Sequence, residues 1–504
     1  MTASRRAWGW IAPGAVAVVA LVLRVWDLGH PRRLMFDETY YAKDAWSLLG
    51  AGYVREFVED ANERIERGDL TGLMEATPAQ IAHPEVGKWM IAAGQQVFGM
   101  TPFGWRIAAA VVGALTVLVL ARMVLRLTDS ILVATLGGAL LTFDGLHLVL
   151  SRSALLDVFL TFWVVCAVAC LVADRDWITR RLPAYRALRP WQLAAGVCFG
   201  LACGTKWSGL YVLAAFGVLV VAWEVLVRRR LRRASGRGDT VVLTTLRVGV
   251  PAFASLVLVA LVVYVLSWSG VLWHHELYAQ RFGAGEEPWG DWVAEPSSGP
   301  LGSTLDALRT LWHYHVLTWE FHTGDYLAEA THPYSSHPWG WLVLERPVAF
   351  DAVNDVAAAE CGAAADSSCL RVVLGLGNPV VWWTGVLALL AAPLLWWWTR
   401  DARWSIPLVA VAASWVPWFI GTGRPIFQFY AVVVLPFVIV AVCLVIDEAS
   451  RRARSPRARY AVWSLTGILV VLTVAAFAWF HPVLTGELLS REDWMARMWW
   501  PTWI

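Results

Sequence analysis

Long apolar runs alternate with short polar segments from one end of the chain to the other. Runs near 9–28, 103–125, 130–150, 153–173, 191–205, 207–227, 244–267, 378–398, 404–421, 427–447 and 461–480 carry almost no charge. Runs near or above the roughly 18 to 20 residues a helix needs to cross a bilayer thus recur along the whole chain. Lipid offers no partner to an unpaired backbone group, so crossing segments are helices or closed barrels. The pattern therefore predicts an all-α polytopic membrane protein with about 11 transmembrane helices.

The polar segments give this count an orientation. The N-terminus with Arg5 and Arg6, "DRDWITRRLPAYRALRP" (174–190), "RRRLRRASGRGD" (228–239), "TRDAR" (399–403) and "RRARSPRARY" (451–460) are all basic, and eleven crossings put them on one side. The positive-inside rule makes that side cytoplasmic, with the N-terminus in and the C-terminus out. "LRVWDLGHPRR" offers no small-residue cleavage site, so the first run reads as a signal-anchor helix. The outer side then holds 29–102, 268–377, the turns near 151, 206 and 424, and the tail from His481. Within the first of these, "HPEVGKWMIAAGQQVFG" (83–99) is too short to span and reads as an amphipathic interfacial helix. The chain divides into a membrane module 1–267 containing the outer loop 29–102, an outer region 268–377, and terminal helices with an outer tail 378–504.

Composition changes this picture little. Of 504 residues 58% are hydrophobic and 16% charged, and a net charge of +2 says less than where the arginines fall. The 268–377 region shows no repeat and no basic low-complexity tract, so nucleic acid is not indicated. The 33 tryptophans are what an aromatic belt at both membrane surfaces requires. Cys166, Cys170, Cys198, Cys203 and Cys443 lie in apolar runs as small hydrophobes, whereas Cys361 and Cys369 share a polar loop and could pair in an oxidising compartment.

Candidate chemistry collects on the outer side. Asp37 and Glu38, in "LMFDETYYAKDAWSLL" (34–49), are adjacent carboxylates among aromatics, where a carboxylate must be paired or used. The three lysines, Lys43, Lys88 and Lys206, all fall there too. Arg106 sits about one turn inside the second run without a local partner, so its counter-ion is either a phosphate or a loop carboxylate. Arg152 and Asp157 are close enough in sequence for a structural ion pair. Lys206 in "CGTKWSGLY" and Arg424, Gln428 and Tyr430 in "GTGRPIFQFY" occupy further outer turns, with interfacial snorkelling as the plain alternative. Arg106, Lys206 and Arg424 in one layer opposite an acidic pair suit an anionic lipid headgroup beside a carboxylate base. His274/His275 and His313/His315 lack the spacing of a helical metal pair, and no metal site is expected.

"FDE" after the first run, "HPEVGKW" (83–89), the arginine of the second run, "RSALLD" (152–157), "GTKWSG" (204–209) and "HPYSSHPWGWLVLERPV" (332–348) together resemble the protein O-mannosyltransferases, in order and over the whole chain. The resemblance implies a GT-C glycosyltransferase fold. It implies transfer of mannose, with inversion, from a polyprenyl-phosphate donor to Ser or Thr of secreted or membrane proteins outside the cytoplasm of a bacterium, with no cofactor beyond the lipid-linked sugar. Asp37 would be the base and Glu38 its essential neighbour. Arg106, Lys206 and Gln428 would lie near the lipid phosphate with Arg424, while His83, Lys88, Arg152, Asp157, Tyr430 and His332 would position substrate or loops. Acceptors would be unfolded or translocating chains, which brings the secretion machinery in as a partner. Two departures stand out. The 268–377 region is too short for the MIR domain of eukaryotic members, and the family's "HPPLGK" reads "HPEVGK", with Glu85 where the pattern has its second proline.

The chemistry agrees with the residues. A hydroxyl nucleophile needs a carboxylate to take its proton, and a departing phosphate needs fixed cations. A related GT-C enzyme moving another polyprenyl-linked sugar to a lipid or glycan shares both needs. A lipid transporter is less favoured, because its unusual charges would sit at the midplane of internal repeats rather than at one face.

Overall fold

The computed structural model describes residues 3–236, 240–287, 289–421 and 423–504; Arg237, Gly238 and Asp239 of the basic segment 228–239 lie outside the described residues. The protein is mostly helical, and each of the eleven apolar runs is helical over most of its length. Among the described residues seven helices are long and apolar enough to cross a membrane: Ser4–Val25, Pro102–Thr128, Leu156–Thr179, Gly209–Ala234, Val241–Leu266, Pro379–Thr399 and Pro456–Thr485. The rest are short or broken. The third run splits into Ile131–Thr142 and Gly145–Leu150, where Asp144 stops one helix and caps the next through the His147 N–H. The fifth is only Pro190–Cys203, the ninth ends in a 3₁₀ turn at Val416–Phe419, and the tenth begins with one at Gln428–Val433 before Leu435–Arg452.

Leu156–Thr179 is the central post, its apolar window 72% buried, and Pro456–Thr485 is peripheral at 17%. Charges mark the two ends of the bundle. At one end Arg126 meets Asp176 at 3.0 Å and Arg403 meets Asp447 at 2.9 Å, while Arg451 donates to the Thr128 carbonyl. The arginine-rich segments thus share an end, as the alternation of basic segments requires.

The opposite end is capped by the two long loop regions. In the first, helices Glu38–Ala51 and Val86–Phe98 pack together, joined by a pair between Lys88 Nζ and Asp44 at 2.9 Å. Val86–Phe98 buries Val86, Ile91 and Ala92 on one face and exposes Val97 and Phe98 at its end, the amphipathic character expected of it. The second region supplies the helix Gly302–Thr323, which exposes Leu305, Leu308, Trp312 and Trp319 along one stripe and buries Ala307, Leu311, Tyr314 and Thr318 on the other.

Three strands, Ala349–Ala357, Ser368–Leu374 and Leu488–Ser490, form an antiparallel sheet in that order. The tail beyond the last long helix therefore folds back onto the second loop region. Cys361 and Cys369 are joined within the hairpin of the first two strands.

Candidate active site

The first loop is held to the bundle by one carboxylate. Glu38 opens its helix with its side chain fully buried, and accepts from Arg106 Nε and Nη2, both at 2.8 Å, from Met35 N at 3.0 Å and from Ala154 N at 2.9 Å. Four donors on one carboxylate satisfy it completely. The Arg106 guanidinium also donates to the carbonyls of Leu28, Pro31 and Arg33. Of the two counter-ions open to Arg106, the fold supplies the loop carboxylate. Its donors are spent inside the protein, which corrects its placement at the lipid phosphate.

Arg152 and Asp157 do not pair with each other. Arg152 reaches the carbonyls of Arg24 at 3.0 Å and Asp27 at 3.0 Å, satisfying the acceptors that the end of the first helix leaves free. Asp157 turns inward and receives Lys206 Nζ at 3.0 and 2.9 Å. The two side chains leave their short segment in different directions, so closeness in sequence misleads. The Lys206 turn is itself tied to the first loop, since Val86 N–H donates to Gly204 O at 3.0 Å and Gly87 leaves room for Leu156, which a Cβ would meet at 2.7 Å.

Asp37 lies beside this pair and is treated differently. It immediately precedes the helix that begins at Glu38, yet its side chain makes no capping bond, and among the described residues it has no cation within 4 Å. Burial pushes its carboxyl up to about 6; Lys206 pulls it down and Asp157 adds to the rise. A carboxylate poised near neutrality and free of hydrogen-bond donors is what a general base requires. Tyr41 borders the same recess, its phenol pushed up by burial and by Asp37.

Arg424 mirrors Asp37 in having no carboxylate within 4 Å among the described residues. Its Nη1 donates instead to His322 Nδ1 at 2.9 Å, while His322 Nε2–H donates to the Ala82 carbonyl at 2.8 Å. Burial, with the Arg424 and Lys206 charges, holds His322 below the usual histidine range, so the neutral tautomer that accepts from Arg424 is favoured. His83 stacks on His322 with ring centres 5.4 Å apart, and burial and the same cations keep it neutral too. Tyr430 covers Lys206, whose Nζ lies 4.7 Å from the ring centre. Gln428 is fully buried, and among the described residues neither of its amide atoms has a hydrogen-bond partner. His332 packs edge-on against Phe36, the residue before Asp37.

The fold thus brings Asp37, Asp157, Lys206, His83 and Arg424 into one electrostatic neighbourhood. Lys88, paired with Asp44, braces the first-loop helices against each other. Sequence reasoning passed over His322, whose partner Arg424 lies 102 residues away. The one signal for it was a histidine ending an aromatic, amphipathic stretch.

An apolar groove of about 660 Å³ opens next to His322, whose ring centre is 5.9 Å from that of Trp207 in the groove wall. Tyr211, Leu261, Tyr264, Trp312 and Trp319 also line it. It shares Leu213 and Val257 with a second apolar groove of about 470 Å³ that runs past Gly217, Val221, Gly249 and Phe253. A long apolar slot therefore leads from the charged cluster along helices Gly209–Ser235 and Val241–Phe253.

With this arrangement in view, likeness to known proteins becomes specific. The family "Dolichyl-phosphate-mannose-protein mannosyltransferase" matches residues 14–269, and the "C-terminal four TMM region of protein-O-mannosyltransferase" matches residues 307–503. The chain belongs to the protein O-mannosyltransferase family. A polyprenol-phosphate-mannose–protein mannosyltransferase of Mycobacterium tuberculosis is 34% identical, over 98% of this chain and 92% of its own length. The protein of the same description from Corynebacterium glutamicum is 30% identical over 97% and 92%. In fold, the chain is similar to the S. cerevisiae protein O-mannosyltransferase Pmt1-Pmt2 complex bound to the sugar donor, with a TM-score of 0.73 and 15% identity over 100% of this chain and 93% of that one. As a member of this family the protein is a multi-pass membrane glycosyltransferase of the GT-C type, and Glu85 finds its reason within it. Glu85 is fully buried and accepts from Gly270 N at 2.9 Å, joining the first loop to the start of the second; burial raises its carboxyl.

Proposed function

We propose that the protein transfers mannose from a polyprenyl-phosphate-mannose lipid to Ser or Thr hydroxyls of secreted or membrane proteins, with inversion, at the extracytoplasmic face of a bacterial plasma membrane. The observation that carries the reading is that, among the described residues, Asp37 has no cation partner and Arg424 no carboxylate partner, in a charged cluster at the head of an apolar slot. The slot suits a polyprenyl chain and the cluster its phosphate. Asp37 accepts the hydroxyl proton as the acceptor oxygen bonds to the mannose C1. The bond from C1 to the phosphate oxygen breaks, and its electron pair leaves with the phosphate. Arg424, the Lys206 ammonium and the free amide of Gln428 face that growing charge in a region poor in water, where fixed cations act most strongly. Lys206, paired with Asp157, is the cation whose charge reaches Asp37.

The side of the membrane follows from two supports. The Cys361–Cys369 disulfide belongs to the cap over Asp37 and suits an oxidising compartment. The arginine-rich end lies opposite and suits the cytoplasm. Acceptors are chains still unfolded as they leave the secretion machinery, met by the 268–377 region in place of a MIR domain.

The test is transfer by the purified chain in lipid vesicles. Polyprenyl-phosphate mannose with a Ser/Thr peptide should give O-mannosyl peptide. Product formed only from another lipid-linked sugar, or only on a lipid or glycan acceptor, overturns the reading.

A further inference from the structure

We propose that Phe36 is a positioning residue for Asp37, its ring locked among aromatic side chains from two other segments so that it holds the backbone turn that aims the carboxylate. This rests on Asp37 being the base. Phe36 has φ of 46°, in the left-handed region that bulky L-residues seldom occupy. Such a conformation persists where surrounding structure over-determines it.

The surroundings here do so. The Phe36 ring meets Phe350 at 5.2 Å between centres, Phe429 at 5.8 Å, Phe427 at 5.9 Å and His332 at 6.1 Å, each edge to face. That geometry is the favoured one for aromatic pairs. Phe427 and Phe429 stack on each other at 5.6 Å, and Phe350 meets Phe429 at 5.4 Å, so the partners also brace one another.

The backbone on both sides is pinned as well. Leu34 N–H donates to Glu66, Met35 N–H to Glu38, and Thr39 donates through both N–H and Oγ1 to the Phe36 carbonyl. Between these anchors the direction of Asp37 is set by where the Phe36 ring is held. Phe427 and Phe429 flank Gln428, and Tyr430 follows, so one aromatic cluster fixes the base relative to the residues proposed to face the phosphate. His332 gains a role by the same contact.

The experiment compares Phe36→Leu, Phe36→Ala and Phe36→Gly with Asp37→Asn in the full chain, in vesicles, using polyprenyl-phosphate mannose and a Ser/Thr peptide. A displacement of about 1 Å at a reacting group can cost on the order of 100-fold. Phe36→Ala should lower kcat by about 10- to 100-fold with the donor KM within about threefold, and Phe36→Leu should recover part of the loss. Glycine accepts the left-handed turn without strain but has no ring, so Phe36→Gly should be at least as slow as Phe36→Ala while unfolding at no lower temperature.

Opening the aromatic wall should also hydrate Asp37 and move the acid limb of the kcat/KM profile to lower pH. The groups facing Asp37 there are Lys206, Asp157, Tyr41 and Tyr430, with His332 against the ring. If Asp37→Asn is inactive but the Leu and Gly variants keep kcat within twofold and the same pH profile, the positioning role is wrong. If Asp37→Asn itself retains turnover, the base assignment falls and this inference with it. The Leu variant keeps the test decisive should Phe36→Ala fail to fold.

Discussion

The helix Leu156–Thr179 carries a buried carboxylate near each end, about 25 Å apart along its axis, and the two ends deal with buried charge in different ways. At the arginine-rich end Asp174 receives Arg189 Nε at 3.1 Å and a second bond from Nη2. Arg189 also reaches Glu224, which takes Arg228 Nε at 2.9 Å, and Arg228 finishes on the carbonyls of Pro183 and Ala184. Two anions meet two cations there. At the other end Asp157 has Lys206 and Glu38 has Arg106, but among the described residues Asp37 and Arg424 have no opposite charge in contact. Both ends bear a desolvation cost; one closes it within the fold, the other leaves charges open to a substrate.

Asp37→Asn should break this comparison most sharply. Loss of the base should lower kcat by about 10²- to 10⁴-fold, measured as O-mannosyl peptide formed. The same change should make the protein more stable at neutral pH. A carboxyl raised from its ordinary value near 4 to about 6 binds its proton more tightly folded than unfolded. Asp37 therefore destabilises the native state increasingly as pH rises from about 4 to about 6, and fully above that. Its removal should restore about 1–3 kcal/mol at pH 7. A thermal unfolding temperature that rises at pH 7 and not at pH 4 confirms the sign, and a fall at pH 7 refutes it. Enzyme activity should decline as pH drops through about 6, because the proton-accepting form is then lost.

Asp174→Asn should do the reverse. Removing one partner from a buried network strands the Arg189 charge and costs about 3–5 kcal/mol of stability. The kcat of the folded fraction should stay within about twofold, since nothing at that end touches the proposed reaction. A kcat loss matching that of Asp37→Asn would show the two ends are not separable.

What the sequence made legible follows the same division. Apolar runs announced a helical membrane protein, and Asp37, Glu38 and Lys206 stood out because a charge among aromatics and small apolar residues is costly without a purpose. Pairing was not legible. Glu38 and Arg106 lie 68 residues apart and Lys206 and Asp157 lie 49 apart, and only the fold closes those distances. Arg152 and Asp157, close in sequence, take separate partners because a turn and a helix point them apart. The broken third, ninth and tenth runs escaped notice for a related reason: Asp144 and the 3₁₀ turns are local events inside otherwise continuous apolar stretches. Nor could alternation reveal the three-stranded sheet, whose strands are few and whose last member comes from the tail.

Arg424 and His322 sharpen the comparison with a smaller effect. Arg424→Gln should raise the donor KM about tenfold, as expected for losing one charge-assisted contact to phosphate. His322 acts through it. The imidazole accepts from Arg424 on one nitrogen and donates to the Ala82 carbonyl from the other, so it carries no charge and cannot itself replace the arginine. His322→Phe keeps the aromatic stack on His83 but removes the acceptor, and should raise the donor KM about threefold with kcat nearly unchanged. His322→Gln, which can still offer an oxygen to Arg424, should fall between. In the Arg424→Gln background His322→Phe should add almost nothing, because two residues acting through one contact are not additive. A full additional threefold there would mean that His322 meets the donor directly.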